Sequence, residues 1–101
     1  MINAHFKRKN GVIIEINING HACFDDYGKD IVCAGVSSSL ITTVNACLLF
    51  DKTSIIFNES NNFHLENIKK DEITNKLLDN LYFNLKEIGK KYKDNIKIKE
   101  D

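Results

Sequence analysis

Hydrophobic and polar residues alternate with a period of two along the first part of the chain. The alternation breaks at Asn10-Gly11 and then resumes, and its apolar positions are Ile2, Ala4 and Phe6, then Val12, Ile14, Ile16 and Ile18. An Asn-Gly pair favours a type I′ turn, because both central residues of that turn need positive φ. We therefore predict a β-hairpin over residues 2–19.

From Asp30 onward, the apolar residues recur at the spacing of an α-helix. We predict a largely buried helix from Asp30 to about Phe50, with Asp30 as its N-cap because a carboxylate accepts the unpaired N–H groups of a first turn. Cys33 would then be the third helical residue. The predicted apolar stripe is Ile31, Ala34, Ser38, Ile41, Asn45 and Leu48, with Val36, Leu40, Val44 and Cys47 beside it.

The second half of the chain predicts another hairpin, another helix and a last strand. The runs 53–58 and 63–68 have strand character and are separated by a polar turn. Asp71 is placed to cap a helix whose predicted apolar stripe is Ile73, Leu77, Leu81, Leu85, Ile88 and Tyr92. After it, Ile96 and Ile98 alternate with lysines, as in a short edge strand.

The element order ββαββαβ predicts the α+β class. The antiparallel pairs form a mostly antiparallel sheet, and both helices are expected to pack on one face of it. We see no internal repeat, linker or low-complexity segment. Residues 1–101 are therefore expected to form a single domain.

Composition restricts the possible partners and the compartment. Lys plus Arg and Asp plus Glu number 14 each, so the formal net charge is zero and no global field attracts nucleic acid or anionic lipid. The chain shows no signal-peptide pattern, no stretch of about 18 uninterrupted apolar residues, and an odd number of cysteines, three. We therefore expect a soluble protein of the reducing cytoplasm, with no membrane partner and no direct nucleic-acid partner.

His21 and Cys33 are candidates for a base and a nucleophile. A cysteine near a helix N-terminus is activated by the helix dipole and by unpaired N–H groups, since only the thiolate attacks a carbonyl. His21 leaves the first hairpin after Gly20, which lacks the Cβ that would hinder a sharp exit. Ser37 lies one helical turn beyond Cys33 and is placed to hold a substrate carbonyl or to orient the pair.

The segment Gly20-His21-Ala22, followed by Tyr27 to Ala34 and by Val36-Ser37, resembles the signature of the ribosomal-processing cysteine proteases, Prp. The resemblance implies a cytoplasmic, homodimeric, metal-independent endopeptidase that needs no cofactor. Its substrate would be the N-terminal extension of a large-subunit ribosomal protein, cut after an aromatic residue. The resemblance carries His21 as base and Cys33 as nucleophile, and it matches Gly20, Asp30 and Ser37 to positions of site geometry or substrate binding.

Two other functions stay open on the residues alone. His21, Cys23 and Cys33 offer three ligands for a zinc ion, although their spacing fits no familiar zinc pattern and no fourth ligand is evident. A non-catalytic ribosome-associated module is the other alternative. Its usual mark is a basic surface with interleaved aromatic residues, and here only the lysine-rich stretch 90–99 approaches that description. Cys23 lies close enough in sequence to trap Cys33 in a disulfide under oxidation.

Overall fold

The computed structural model describes residues 1–20, 27–60 and 62–101, and for residues 27–30 it describes the backbone alone. The described residues form five strands and two helices in the order ββαββαβ. Their bounds are β1 Ile2–Lys9, β2 Val12–Asn19, α1 Tyr27–Phe50, β3 Ile55–Asn58, β4 Phe63–Asn67, α2 Glu72–Lys91 and β5 Ile96–Glu100. The predicted element order is confirmed.

The five strands make one sheet in the order β3-β4-β2-β1-β5. The pairs β1–β2, β2–β4 and β3–β4 are antiparallel, whereas β5 pairs with β1 in parallel. The predicted α+β class, with a mostly antiparallel sheet, is therefore confirmed. The last strand is parallel because α2 carries the chain back across the sheet before β5 begins, as a helical crossover does.

The first hairpin turns at Asn10 and Gly11, whose φ angles of 53° and 81° are those of the predicted type I′ turn. One detail of its alternation is wrong. The buried residues of β2 are Ile13, Ile16 and Ile18, and not Ile14. The pairing shifts between Lys7 and Arg8, so β2 contains one extra residue there, and this bulge exchanges the two faces of the strand.

Helix α1 begins at Tyr27, four residues before Ile31, which would be the first helical residue if Asp30 were the N-cap. Asp30 is therefore inside the first turn, and its assignment as the N-cap is wrong. An acidic residue is favoured in a first turn as well as at an N-cap, because both positions lie at the positive end of the helix dipole. An acidic residue such as Asp30 therefore predicts the start of a helix only to within about one turn.

The buried face of α1 also differs from the predicted stripe. The side chains that join the core are Val32, Cys33, Val36, Leu40, Val44 and Cys47. Ile31 and Ile41 are 45% and 58% exposed, so the residues predicted beside the stripe are the buried ones. Residues Ile31–Phe50 have the length and the mean hydropathy, 1.7, of a membrane span, but composition alone does not distinguish such a span from a core helix packed on a sheet.

Helix α2 begins as predicted. The Asp71 side chain accepts a hydrogen bond from the Thr74 backbone N–H at 2.9 Å. Its buried residues are Thr74, Leu78, Leu81 and Leu85, so the buried face is rotated relative to the predicted stripe. The two ends of that stripe, Ile73 and Tyr92, are exposed.

Several chain ends meet at one end of the sheet. Ile18, near the end of β2, pairs with Phe63 at the start of β4, and Ile2 at the start of β1 pairs with Ile96. On the helical layer, Gly35 of α1 faces Ile88, near the end of α2. The exit from β2, the β3–β4 turn and the beginning of α1 therefore lie together, and this is where the candidate residues fall.

Candidate active site

Gly20 fixes the point at which the chain leaves β2. Its φ is +80°, and an added Cβ would lie 2.5 Å from the backbone carbonyl oxygen of Met1. No side chain fits at that distance, and only glycine adopts such a φ without strain. A glycine is therefore required before His21 because the Met1 backbone leaves no room for a Cβ at this position.

Cys33 is the seventh residue of α1, because the helix begins at Tyr27. The residue is 5% exposed and belongs to the core cluster, and its sulfur is disulfide-bonded. A helix leaves the N–H groups at its start without an intrahelical acceptor, and here these include those of residues 27–29. The unpaired N–H groups are therefore those of the turn before Cys33, and not its own as the predicted third position implied.

The remaining predicted residues are located only in part. His21 lies outside the described residues, as does Cys23, and for Asp30 only the backbone position is described. Ser37 is half-buried and follows Cys33 by four residues in α1, so both lie on the same helical face. The structure thus places Gly20, the beginning of α1 and Ser37 at one end of the fold.

The two described cysteines differ in their chemistry. Cys47 is free and fully buried, and burial raises the pKa of its thiol to about 11. A thiol with that pKa stays protonated at neutral pH and does not act as a nucleophile. Cys33 lies in the second turn of α1, and its sulfur is disulfide-bonded rather than a free thiol.

Metal ligands do not cluster elsewhere in the described part of the chain. Among the residues the structure describes, no three His, Cys, Asp or Glu side chains form a group that could hold a metal ion. The zinc alternative used His21 and Cys23, which lie outside those residues, together with Cys33. The zinc site therefore stays a prediction from the sequence.

The structure has a cleft between α1 and β3 that the sequence did not predict. We call it the α1–β3 cleft, and it has a volume of about 120 Å³. Its apolar lining comes from α1, β3 and the start of β4, and consists of Leu40, Ile41, Val44, Phe57 and Phe63. In the sequence, the apolar residues Ile41 and Phe57 were the only indication of this cleft. Whether they lie next to each other depends on which face of α1 is turned toward β3.

Comparison with known proteins was made at the level of sequence and of structure. Residues 1–97 match the family model described as cysteine protease Prp. The ribosomal processing cysteine protease Prp of Staphylococcus aureus (strain Mu50 / ATCC 700699) is 29% identical over 92 residues, which cover 87% of each chain. The protein of the same description from Bacillus subtilis (strain 168) is 28% identical, covering 97% of this chain and 96% of its own.

Solved structures show the same fold. An essential ribosomal processing protease Prp from S. aureus, in complex with a substrate peptide, superposes with a TM-score of 0.92 at 24% identity, covering both chains completely. The same description, with a covalently linked product peptide, gives a TM-score of 0.89 at 26% identity, again over both complete chains. SMU.848 from Streptococcus mutans gives 0.88 at 24% identity, covering 99% of this chain and 93% of the other.

Proposed function

The chain belongs to the family of the cysteine protease Prp, and from this premise we propose that it removes the N-terminal extension of a bacterial large-subunit ribosomal protein, cutting after an aromatic residue. Relatives from two bacteria that are described as ribosomal processing proteases support the substrate class. The preference for an aromatic residue is an expectation from the family signature around Gly20 and Cys33. The reaction is hydrolysis of a peptide bond by a cysteine nucleophile.

In the proposed reaction, His21 takes the proton from the reduced Cys33 thiol, and the thiolate attacks the peptide carbonyl carbon. The C–N bond of the tetrahedral intermediate breaks, and His21 gives its proton to the leaving amine. Water, deprotonated by His21, then hydrolyses the thioester and restores the thiol. A Cys-His dyad supplies all the proton transfers that this sequence of steps needs.

The proposal rests mainly on the position of Cys33, which is the last residue of the first two turns of α1. Side chains of a helix tilt toward its N-terminus, so we expect the Cys33 sulfur to lie on the side of the first turn of α1. The N–H groups of residues 27–29 have no intrahelical acceptor and point along the axis toward any anion in front of the helix. We propose that they stabilise the oxyanion of the intermediate.

Three further residues are proposed to set the geometry. Gly20 sets the direction in which the chain leaves β2 toward His21, because its backbone lies against Met1. Asp30 belongs to the first turn of α1. Its negative charge is proposed to stabilise the start of the helix more than it affects the His21 imidazole. Ser37 lies one turn beyond Cys33 and is proposed to hold the substrate or the dyad in position.

The test is cleavage of a peptide that copies the N-terminal extension of the organism's own ribosomal substrate, read by mass spectrometry under reducing conditions. Cys33→Ala and His21→Ala should each abolish cleavage, whereas Cys23→Ala should retain it. All variants are first checked for folding by thermal unfolding. Cleavage that survives Cys33→Ala would exclude the proposed nucleophile, and binding of stoichiometric zinc without cleavage would favour the metal alternative.

We also propose a cytoplasmic homodimer. Exposed apolar side chains at the end of α1 favour self-association: Leu49 is 87% exposed and Phe50 is 66% exposed. Sedimentation velocity over a range of concentrations tests this, with Leu49→Asp as the variant that should shift the protein toward monomer. A wild type that sediments as a monomer at every concentration would refute the dimer.

A further inference from the structure

We propose that the α1–β3 cleft binds one large apolar side chain of the substrate peptide, three or four residues away from the scissile bond. The proposal rests on the proposed function, because it takes Cys33 as the point at which the peptide is cut. It assigns a second recognition element, separate from the aromatic residue beside the cut.

The spacing follows from α1. Cys33 and Ile41 belong to the same helix and are eight residues apart, which corresponds to roughly 12 Å along the axis. An extended peptide advances about 3.3 Å per residue, so it covers this distance in three or four residues. The β sheet supports the same placement, because Phe63 in the cleft pairs with Ile18, two residues before Gly20.

The size and chemistry of the cleft select the side chain. Its volume of about 120 Å³ is close to the roughly 150 Å³ of an apolar cavity that holds a benzene ring. Five of its seven described lining residues are apolar, and the other two are Asn45 and Glu59. Ile41 and Phe57 are 58% and 42% exposed, so their surface is available for burial by a ligand. An aromatic or branched aliphatic side chain therefore fits it better than a small or an acidic one.

The strand beside the cleft favours an extended peptide as the occupant. β3 is an outer strand of the sheet, and no strand among the described residues pairs with its outer edge. The other outer strand, β5, carries Lys97 and Lys99, which discourage pairing. β3 has the sequence IIFN, without a charged residue. An unprotected apolar edge is the type of surface to which extended peptides add as a further strand.

The experiment pairs enzyme variants with peptide variants. In the parent peptide, each residue within four positions of the cut is replaced in turn by serine, and kcat/KM is measured. Phe57→Ala enlarges the cleft. Its matched control is Ile56→Ala, because Ile56 is the adjacent residue of β3, is 57% exposed and belongs to the opposite face of the strand. Ile41→Trp fills the cleft from an exposed position.

For the wild type, serine at the third or fourth position on one side of the cut should lower kcat/KM by about tenfold or more, the effect of losing one buried apolar side chain. Phe57→Ala should remove most of this difference, and Ile56→Ala should keep it. Ile41→Trp should slow cleavage of the parent peptide while leaving the serine peptide unaffected. Melting temperatures confirm that the variants are folded.

Failure of this inference is separable from failure of the proposed function. If the wild type does not cleave the parent peptide, the proposed function itself fails. If it cleaves the parent peptide but is insensitive to serine at every distant position, only the cleft assignment is overturned. An equal loss in Phe57→Ala and Ile56→Ala would also overturn the assignment, because it would show a general effect of β3.

Discussion

The Met1 carbonyl oxygen occupies the space that a Cβ at Gly20 would need, at 2.5 Å from the ideal Cβ position. This contact joins the start of β1 to the exit from β2, since Asn3 pairs with Asn19 next to it. The direction in which the chain leaves the sheet toward His21 is thus determined by backbone atoms. A substitution at Gly20 must move one of the two segments.

We predict that Gly20→Ala lowers both stability and activity. The free energy of unfolding should fall by roughly 1–2 kcal/mol from the positive φ alone, with a further loss from the contact with Met1. Urea denaturation measures this. Peptide cleavage at a temperature where the variant is fully folded should also be reduced, because His21 follows Gly20 directly.

Gly11→Ala is the matched control for this prediction. Gly11 has nearly the same φ, +81°, but a Cβ there would meet nothing within 4 Å. It should therefore lose only the conformational contribution and keep its cleavage rate. Equal loss of stability and activity in the two variants would show that the contact with Met1 has no role.

Alkylation should distinguish the cysteines of the reduced protein. Burial raises the pKa of Cys47 to about 11, so its reactive thiolate is scarce near neutral pH. Iodoacetamide at pH 7 should modify Cys33 well before Cys47 in the folded protein, and peptide mapping by mass spectrometry identifies the site. In denaturant, both thiols should react at similar rates. Faster modification of Cys47 in the folded protein would contradict this assignment of reactivity.

The same shift predicts the direction of a stability change at high pH. The pKa of the Cys47 thiol is raised from its ordinary value, near 9, to about 11 in the folded protein. Its contribution to the free energy of unfolding therefore decreases as the pH rises from 9 toward 11. The unfolded chain then releases a proton that the folded protein retains. Denaturation midpoints of the wild type should fall over this range more steeply than those of Cys47→Ala. Parallel pH profiles would show that Cys47 does not contribute.

Periodicity was sufficient for most of the fold. It predicted the element order because each segment has a clear repeat and a clear turn, as at Asn10-Gly11 and Asp71. It failed where the repeat did not identify the buried face. In α1 both Ile41 and Leu40 are apolar, and only packing on the sheet decides that Leu40 is buried and Ile41 exposed. In β2 a one-residue bulge exchanged the faces at Ile14.

The candidate site was predictable at the level of residue type and sequence spacing. The signal at Cys33 came from a short motif, so an error of four residues in the start of α1 left the candidate unchanged while altering which N–H groups are unpaired. The α1–β3 cleft could not be predicted in this way. It joins Ile41 to Phe57, and that meeting depends on the tertiary arrangement of a helix and a strand.

Asp71 provides a test of helix capping that is separate from the active site. Hydrogen bonds from Thr74 lower the pKa of its carboxyl, so its contribution to stability is present above the ordinary pKa near 3.8 and is lost as pH falls below it. Asp71→Ala should lower the urea midpoint at neutral pH, because the Thr74 N–H loses its acceptor. Asp71→Asn should keep most of the cap but lose the acid dependence. If Asp71→Ala matches the wild type in urea denaturation, the cap is not stabilising.

Oxidation should control whether Cys33 is available for reaction. The sulfur of Cys33 is disulfide-bonded, and a disulfide sulfur is not a nucleophile until a reductant restores the thiol. The chain has three cysteines, and Cys47 is free. Cys23 is the cysteine nearest to Cys33 in the sequence, so we predict that an oxidant joins these two thiols and takes up the two electrons and two protons that they lose.

We predict that oxidised dithiothreitol inactivates the wild-type protein and that reduced dithiothreitol restores it. Intact mass should decrease by two hydrogens on oxidation, and peptide mapping should join Cys23 to Cys33. Cys23→Ser should remain active under the same oxidant, because a single thiol near the site has no intramolecular partner to form a stable disulfide. Cys47→Ala should inactivate like the wild type. Inactivation of Cys23→Ser at the wild-type rate would contradict a disulfide between Cys23 and Cys33 as the cause of inactivation.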